Sequence, residues 1–150
     1  MITELDLKNP ALKRAVKAVL TSGVSNDTII GVMKEIIPAT MYIPMKIKHE
    51  VEFNYRVGDS SINDKSVTSF PSFSKDNKKY VPVFTDGEEY RKFMDNGYDD
   101  YRACKIDYVT LAAMINSMKD FDGFLLDPYG SRLPFTRGIV EEINKHVEVS

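Results

Sequence analysis

The side chain best suited to nucleophilic chemistry is the single cysteine of the chain, Cys104. Arg102 precedes it by two positions, and alternate residues of a strand share a face, so the guanidinium could stabilise a thiolate. His49 and His146 are the candidate catalytic partners. The alternative is that Cys104 is a small apolar side chain of a central strand, and that His146 complements a helix dipole. We favour the alternative and expect no catalytic residue.

Charged side chains form two further groups. Residues 95–100 carry three carboxylates around a turn, and Lys13, Arg14 and Lys17 give a predicted helix a basic face. The carboxylates could hold a hard cation or contact a basic segment, but their spacing matches no calcium loop. We interpret both groups as solvated surface, and we expect no metal site.

Recognised binding motifs are missing from the sequence. It contains no glycine-rich phosphate loop, no histidine pair spaced for one helix face and no nucleophile elbow, so we expect no cofactor. With 20 basic and 22 acidic residues the net charge is −2, which argues against nucleic-acid or membrane-surface binding. One cysteine among 150 residues, no secretory signal and no long apolar run favour a cytoplasmic protein.

Apolar and acidic side chains next to polar loops are the candidates for contacting another protein, although an inward-facing core position is the alternative for the aromatic ones. The candidates are Phe70, Phe73, Tyr98, Asp99, Asp100 and Tyr101.

The first 38 residues predict a helical hairpin. Asn9 is placed to cap a helix that starts at Pro10 and stops at Gly23, and Ser25 caps a second helix that ends before Pro38. The predicted apolar stripe of the second helix consists of Ile29, Ile30, Met33, Ile36 and Ile37.

The rest of the chain predicts strands and then an alternation of strands and helices. Apolar residues at nearly every odd position of 41–57 indicate a strand, with further strands over 67–73 and 80–85 and a loop over 58–65. Thr85 and Glu88 form a capping box, and Asp107 and Thr136 cap later helices. Strands over 101–106, 123–126 and 133–135 separate those helices. We therefore predict one α+β domain over 1–150, with a mixed sheet of five to six strands, an antiparallel meander followed by βαβαβ.

Two segments resemble a known family. The run Tyr80-Val81-Pro82-Val83-Phe84-Thr85-Asp86-Gly87-Glu88-Glu89 and the turn Asp127-Pro128-Tyr129-Gly130 are similar to motifs of the N-terminal domain of the bacterial SseB (enhanced serine sensitivity) proteins. Thr40-Met41-Tyr42-Ile43-Pro44 also resembles the start of that domain. The resemblance spans nearly the whole chain, except that residues 45–77 align poorly. It implies the fold, and it implies no activity, because the family has none that can be transferred.

Three functions stay open at this point. We favour a non-enzymatic protein-interaction module, of an adaptor or immunity-like kind. The alternatives are a small-metabolite sensor or an enzyme with a dispersed site, and a structural domain that forms a homodimer.

Overall fold

The computed structural model describes residues 5–51 and 64–147, with only the backbone described for 47–51 and 64–68. The helices are α1 (Pro10–Ser22), α2 (Asn26–Ile36), α3 (Gly87–Phe93), α4 (Tyr108–Ser117) and α5 (Arg137–Val147). The strands are β1 (Thr40–Val51), β2 (Asp64–Ser69), β3 (Phe73–Lys75), β4 (Lys78–Val83), β5 (Arg102–Asp107), β6 (Gly123–Leu126) and β7 (Leu133–Thr136). A turn over Met94–Tyr98, in which Asn96 and Gly97 leave the helical conformation, follows α3.

Local signals set the ends of the N-terminal helical hairpin. Gly23 ends α1 with a φ of 82°, a conformation that glycine adopts without steric cost. Ser25 and Thr28 form a capping box at the start of α2, as the sequence predicts for Ser25. Asn9 occupies the N-cap position of α1 as predicted, but its side chain makes no capping hydrogen bond; its amide donates to the carbonyl of Thr40 at 2.9 Å.

The strands form two sheets. The first has the order β2-β1-β5 with antiparallel neighbours, and the second has the order β3-β4-β6-β7 with β4 and β6 parallel. Tyr42 and Phe84 join the sheets by two backbone hydrogen bonds of 2.9 Å. The α+β class and the helical hairpin are therefore confirmed. The described residues form seven strands in two sheets, since the chain from 67 to 73 divides between β2 and β3.

Several sequence-based expectations differ from the observed positions. Asp86, not Thr85, caps α3 by accepting from the backbone N–H of Glu89 at 2.8 Å. Cys104 was expected in a central strand and instead lies in β5, at the edge of its sheet. Pro82 lies in β4 beyond the residues that pair with β3, so it has a paired strand, β6, on one side only, as suits a residue without an N–H. Residues 52–57 of the predicted first strand, and 58–63 of the predicted loop, lie outside the described residues.

The main core lies between the helices and both sheets. It takes buried side chains from α1, α2, α4 and α5 and from strands of each sheet, such as Met41, Ile43, Val81 and Phe124. A separate aromatic group that includes Tyr42 and Phe84 packs around α3. Among the described residues, no helix is long and apolar enough to cross a membrane.

Candidate functional site

Three of the residues expected to contact a partner lie in one aromatic cluster. Phe73, Tyr98 and Tyr101 are half-buried there. They pack with the buried Phe93 and the half-buried Tyr129. Tyr98 stacks on Phe93 with ring centroids 4.5 Å apart, and its centroid is 5.8 Å from that of Phe73. Only part of each of these three side chains is exposed, because the rings pack against one another.

The other expected contact residues are placed differently. Phe70 is half-buried and packs on the main core, away from the aromatic cluster. Asp99 and Asp100 are exposed, and Asp100 accepts a hydrogen bond of 2.5 Å from the ammonium of Lys46. That hydrogen bond and the charge of Lys46 lower the pKa of Asp100. The structure therefore brings Tyr98, Asp99, Asp100 and Tyr101 to one surface, with Phe73 beside them, and separates Phe70 from it.

The described surroundings of Cys104 do not favour its thiolate form. Burial raises the pKa of the Cys104 thiol, and the charge of Arg102 opposes this effect without reversing it. His146 is exposed in the last turn of α5. In residues 5–51 and 64–147, no group of three or more His, Cys, Asp and Glu side chains is arranged to hold a metal ion.

The two motif segments of the sequence meet in space. Thr85 follows β4 and Asp127 follows β6, so the parallel pairing of these strands brings both residues to the same edge of the sheet. The backbone N–H of Thr85 donates to the Asp127 carboxylate at 2.8 Å, and its hydroxyl donates to the other oxygen at 2.7 Å. Asp127 has a φ of 48°, which aspartate tolerates better than most residues.

A group of three carboxylates surrounds this contact; we call Asp86, Glu89 and Asp127 the carboxylate cluster. Lys13 binds Asp86 at 2.9 Å, and Lys92 donates to Oε1 of Glu89 at 2.9 Å. Burial raises the pKa of Asp127 to about 6; the hydrogen bonds from Thr85 oppose that shift, and the charges of Glu89 and Asp86 add to it.

Glu89 is 5% exposed, and its Oε2 has no hydrogen-bond partner among the described residues. Such an oxygen is costly to bury, since it has lost its water and gained no donor. A cavity of about 410 Å³ adjoins it between α1 and the turn after β6. Its polar lining consists of Lys13, Arg14, Lys17, Glu89, Asp127 and Ser131, with Gly130 beside them.

The family model for the SseB protein N-terminal domain matches residues 12–142. The chain belongs to the SseB family. Comparisons with curated proteins and with solved structures give no significant match. Two of the three segments that carry the resemblance, residues 80–89 and 127–130, supply the carboxylate cluster of this SseB domain.

A second concave feature of the SseB domain is apolar. A groove of about 340 Å³ lies between the α1–α2 turn, α2, β7 and α5, and we call it the apolar groove. Val24, Ile29 and Ile139 line it and are 75%, 36% and 41% exposed. The sequence missed this surface, because Ile29 and Ile30 fit the apolar stripe of α2; the buried face of α2 instead consists of Val32, Met33 and Ile36.

Proposed function

We propose that this SseB domain is a non-enzymatic protein-interaction module, and that its apolar groove receives an amphipathic helix of a partner protein. The observation that supports this is the exposure of Val24, Ile29 and Ile139 along one continuous groove. Removing apolar surface from water is favourable by roughly 25 cal/mol per Å². A partner that covers these side chains therefore gains binding free energy. An adaptor or immunity-like role fits such a module.

The shape of the groove favours a helix over an added strand. Two helices flank the groove, and β7 is the edge strand of its sheet. Arg137 donates its backbone N–H to Asp122, so by strand alternation Leu133 and Phe135 point their backbone groups at β6. The backbone groups on the outer edge of β7 are therefore those of Pro134 and Thr136. Pro134 has no N–H that could donate to an added strand. A helix needs no such donor, and its apolar side chains can fill the space between α2 and α5.

Site-specific crosslinking tests the proposal. A photoreactive residue at position 139 should capture one partner in the source cell, and that partner should then bind the purified domain. Ile139→Glu places a charge in the groove and should weaken binding at least tenfold, the equivalent of about 1.4 kcal/mol. The matched control is Val109→Glu, because Val109 on α4 is 55% exposed and does not line the groove.

A second pair of variants tests the residues that the sequence suggested. Phe73→Ser and Asp99→Lys alter the surface around the aromatic cluster without touching the groove. If these variants release the partner while Ile139→Glu does not, the interface lies at the aromatic cluster and the groove proposal is wrong. A partner that binds the Ile139→Glu and Val109→Glu variants equally well would also contradict the groove proposal.

A further inference from the structure

The cavity beside the carboxylate cluster has an unsatisfied acceptor in its wall. Oε1 of Glu89 has a donor in Lys92 at 2.9 Å, whereas Oε2 has none among the described residues. A glutamate carboxylate rotates broadly about its last side-chain bond, so a small rotation can turn Oε2 toward the cavity. The position therefore suits a ligand that brings a hydrogen-bond donor.

Gly130 keeps space next to that oxygen. Its backbone does not need glycine, since its φ lies outside the positive range. A Cβ at this position, however, would lie 2.8 Å from Oε2 of Glu89. The missing side chain is thus explained by room beside the carboxylate rather than by the turn itself. Asp127, which also lines the cavity, is held in place by two hydrogen bonds from Thr85.

The charges around the cavity are of both signs. Beside the cavity, the three carboxylates of the cluster are accompanied by the ammonium groups of Lys13 and Lys92, which leaves one negative charge in excess; of these groups, Lys13, Glu89 and Asp127 line the cavity. At its rim, Arg14 and Lys17 form no ion pair with the described residues. A ligand with one charge would satisfy one of these regions and leave the other unpaired.

We infer that this cavity binds a small zwitterion, whose ammonium group pairs with Glu89 and whose anionic group pairs with Arg14 and Lys17. The ammonium supplies the donor that Oε2 lacks and balances the excess negative charge. The cavity volume of about 410 Å³ suits a small molecule. Its place outside the carboxyl ends of the parallel strands β4 and β6 is also where ligands bind in many α/β sheets.

Titration with a series of ω-amino acids, from glycine to 6-aminohexanoate, tests this inference. Amide NMR signals of Gly130 and Glu89 report on the site, and the same-length alkylamine and carboxylate serve as singly charged controls. We expect one member of the series to bind at millimolar concentration and to bind at least about tenfold more tightly than either control, because each control lacks one of the two charge-assisted contacts.

Variants assign the contacts. Gly130→Ala fills the space beside Oε2 and should abolish binding. The double variant Arg14→Gln with Lys17→Gln should weaken binding. It should keep the fold, because both side chains are exposed. Lys145→Gln on α5 removes a surface charge elsewhere and should change nothing. Equal binding of the alkylamine would show an ammonium site without a role for the basic rim, and would overturn the inference. The absence of any shift with every member of the series would also overturn the inference.

Discussion

At the scale of single residues, Asp127 shows how opposing effects set a proton affinity. Burial disfavours its charged form, and the nearby Glu89 and Asp86 carboxylates act in the same direction. Two hydrogen bonds from Thr85 favour the charged form but do not outweigh burial. The resulting pKa of about 6, against an ordinary 3.8, makes this carboxyl titrate near neutral pH in the folded protein.

We expect Asp127 to make the free energy of unfolding fall as pH rises from about 4 to about 6. In that window the folded state binds the proton and the unfolded state has released it, so each increase in pH favours unfolding. The difference between the two pKa values corresponds to a total decrease of about 3 kcal/mol in the free energy of unfolding. Above about pH 6 this contribution of Asp127 no longer changes much with pH.

Urea unfolding of the wild type and of Asp127→Asn, at several pH values, checks this. The asparagine variant lacks the titrating group, so the difference between the two free energies should change across the window while contributions from other carboxylates cancel. A difference that is flat between pH 4 and pH 7 would contradict the assigned pKa.

At the scale of elements, two glycines have opposite roles. Gly31 lies inside α2 with no atom within 4 Å of where a Cβ would be. Gly123 begins β6 with a φ of 151°, and a Cβ there would lie 1.9 Å from the carbonyl oxygen of Phe135 in β7. Glycine is thus dispensable in the helix and required where β6 and β7 approach each other.

We expect Gly31→Ala to stabilise the protein by about 0.5–1 kcal/mol, since alanine loses less backbone entropy in a helix. Gly123→Ala should destabilise it by about 3 kcal/mol or more, because the added methyl group forces the two strands apart. Thermal unfolding of the two variants measures both effects. A Gly123→Ala protein as stable as the wild type would show that the strands can separate without cost.

At the scale of the whole molecule, the two sheets share one core. Met41 and Ile43 of the first sheet lie in the same buried cluster as Val81 and Phe124 of the second. The backbone hydrogen bonds between Tyr42 and Phe84 also link the sheets directly. Neither sheet can lose its packing without exposing apolar side chains of the other.

We therefore expect one cooperative unfolding transition. Tyrosine fluorescence, which no tryptophan obscures, and far-UV circular dichroism should give the same urea midpoint. Thiol labelling of Cys104 reports on β5 in the first sheet and should give that midpoint too. Labelling that begins at clearly lower urea would show that the first sheet unfolds on its own.

Much of the fold could be predicted because its signals are local. The caps at Ser25 and Asp107 act within a few residues, as the hydrogen bonds from the Thr28 and Thr110 amides show. Asn9 occupies the predicted cap position, but its side-chain amide donates to distant carbonyls, including that of Thr85, and makes no capping bond, which no local pattern could have predicted. The exposure of Ile29 likewise depends on which side of α2 the rest of the chain covers.

By itself, the sequence determined the α+β class, the helical hairpin and the identity of the motif segments. Periodicity and capping are properties of neighbouring residues, so they can be read without knowing the fold. Only the tertiary structure decided that Thr85 and Asp127, 42 positions apart, bind each other and that Glu89 is buried beside them. It also decided that the exposed apolar surface lies in the groove of Ile29 and Ile139. Such contacts follow from strand order and packing, which local patterns do not encode.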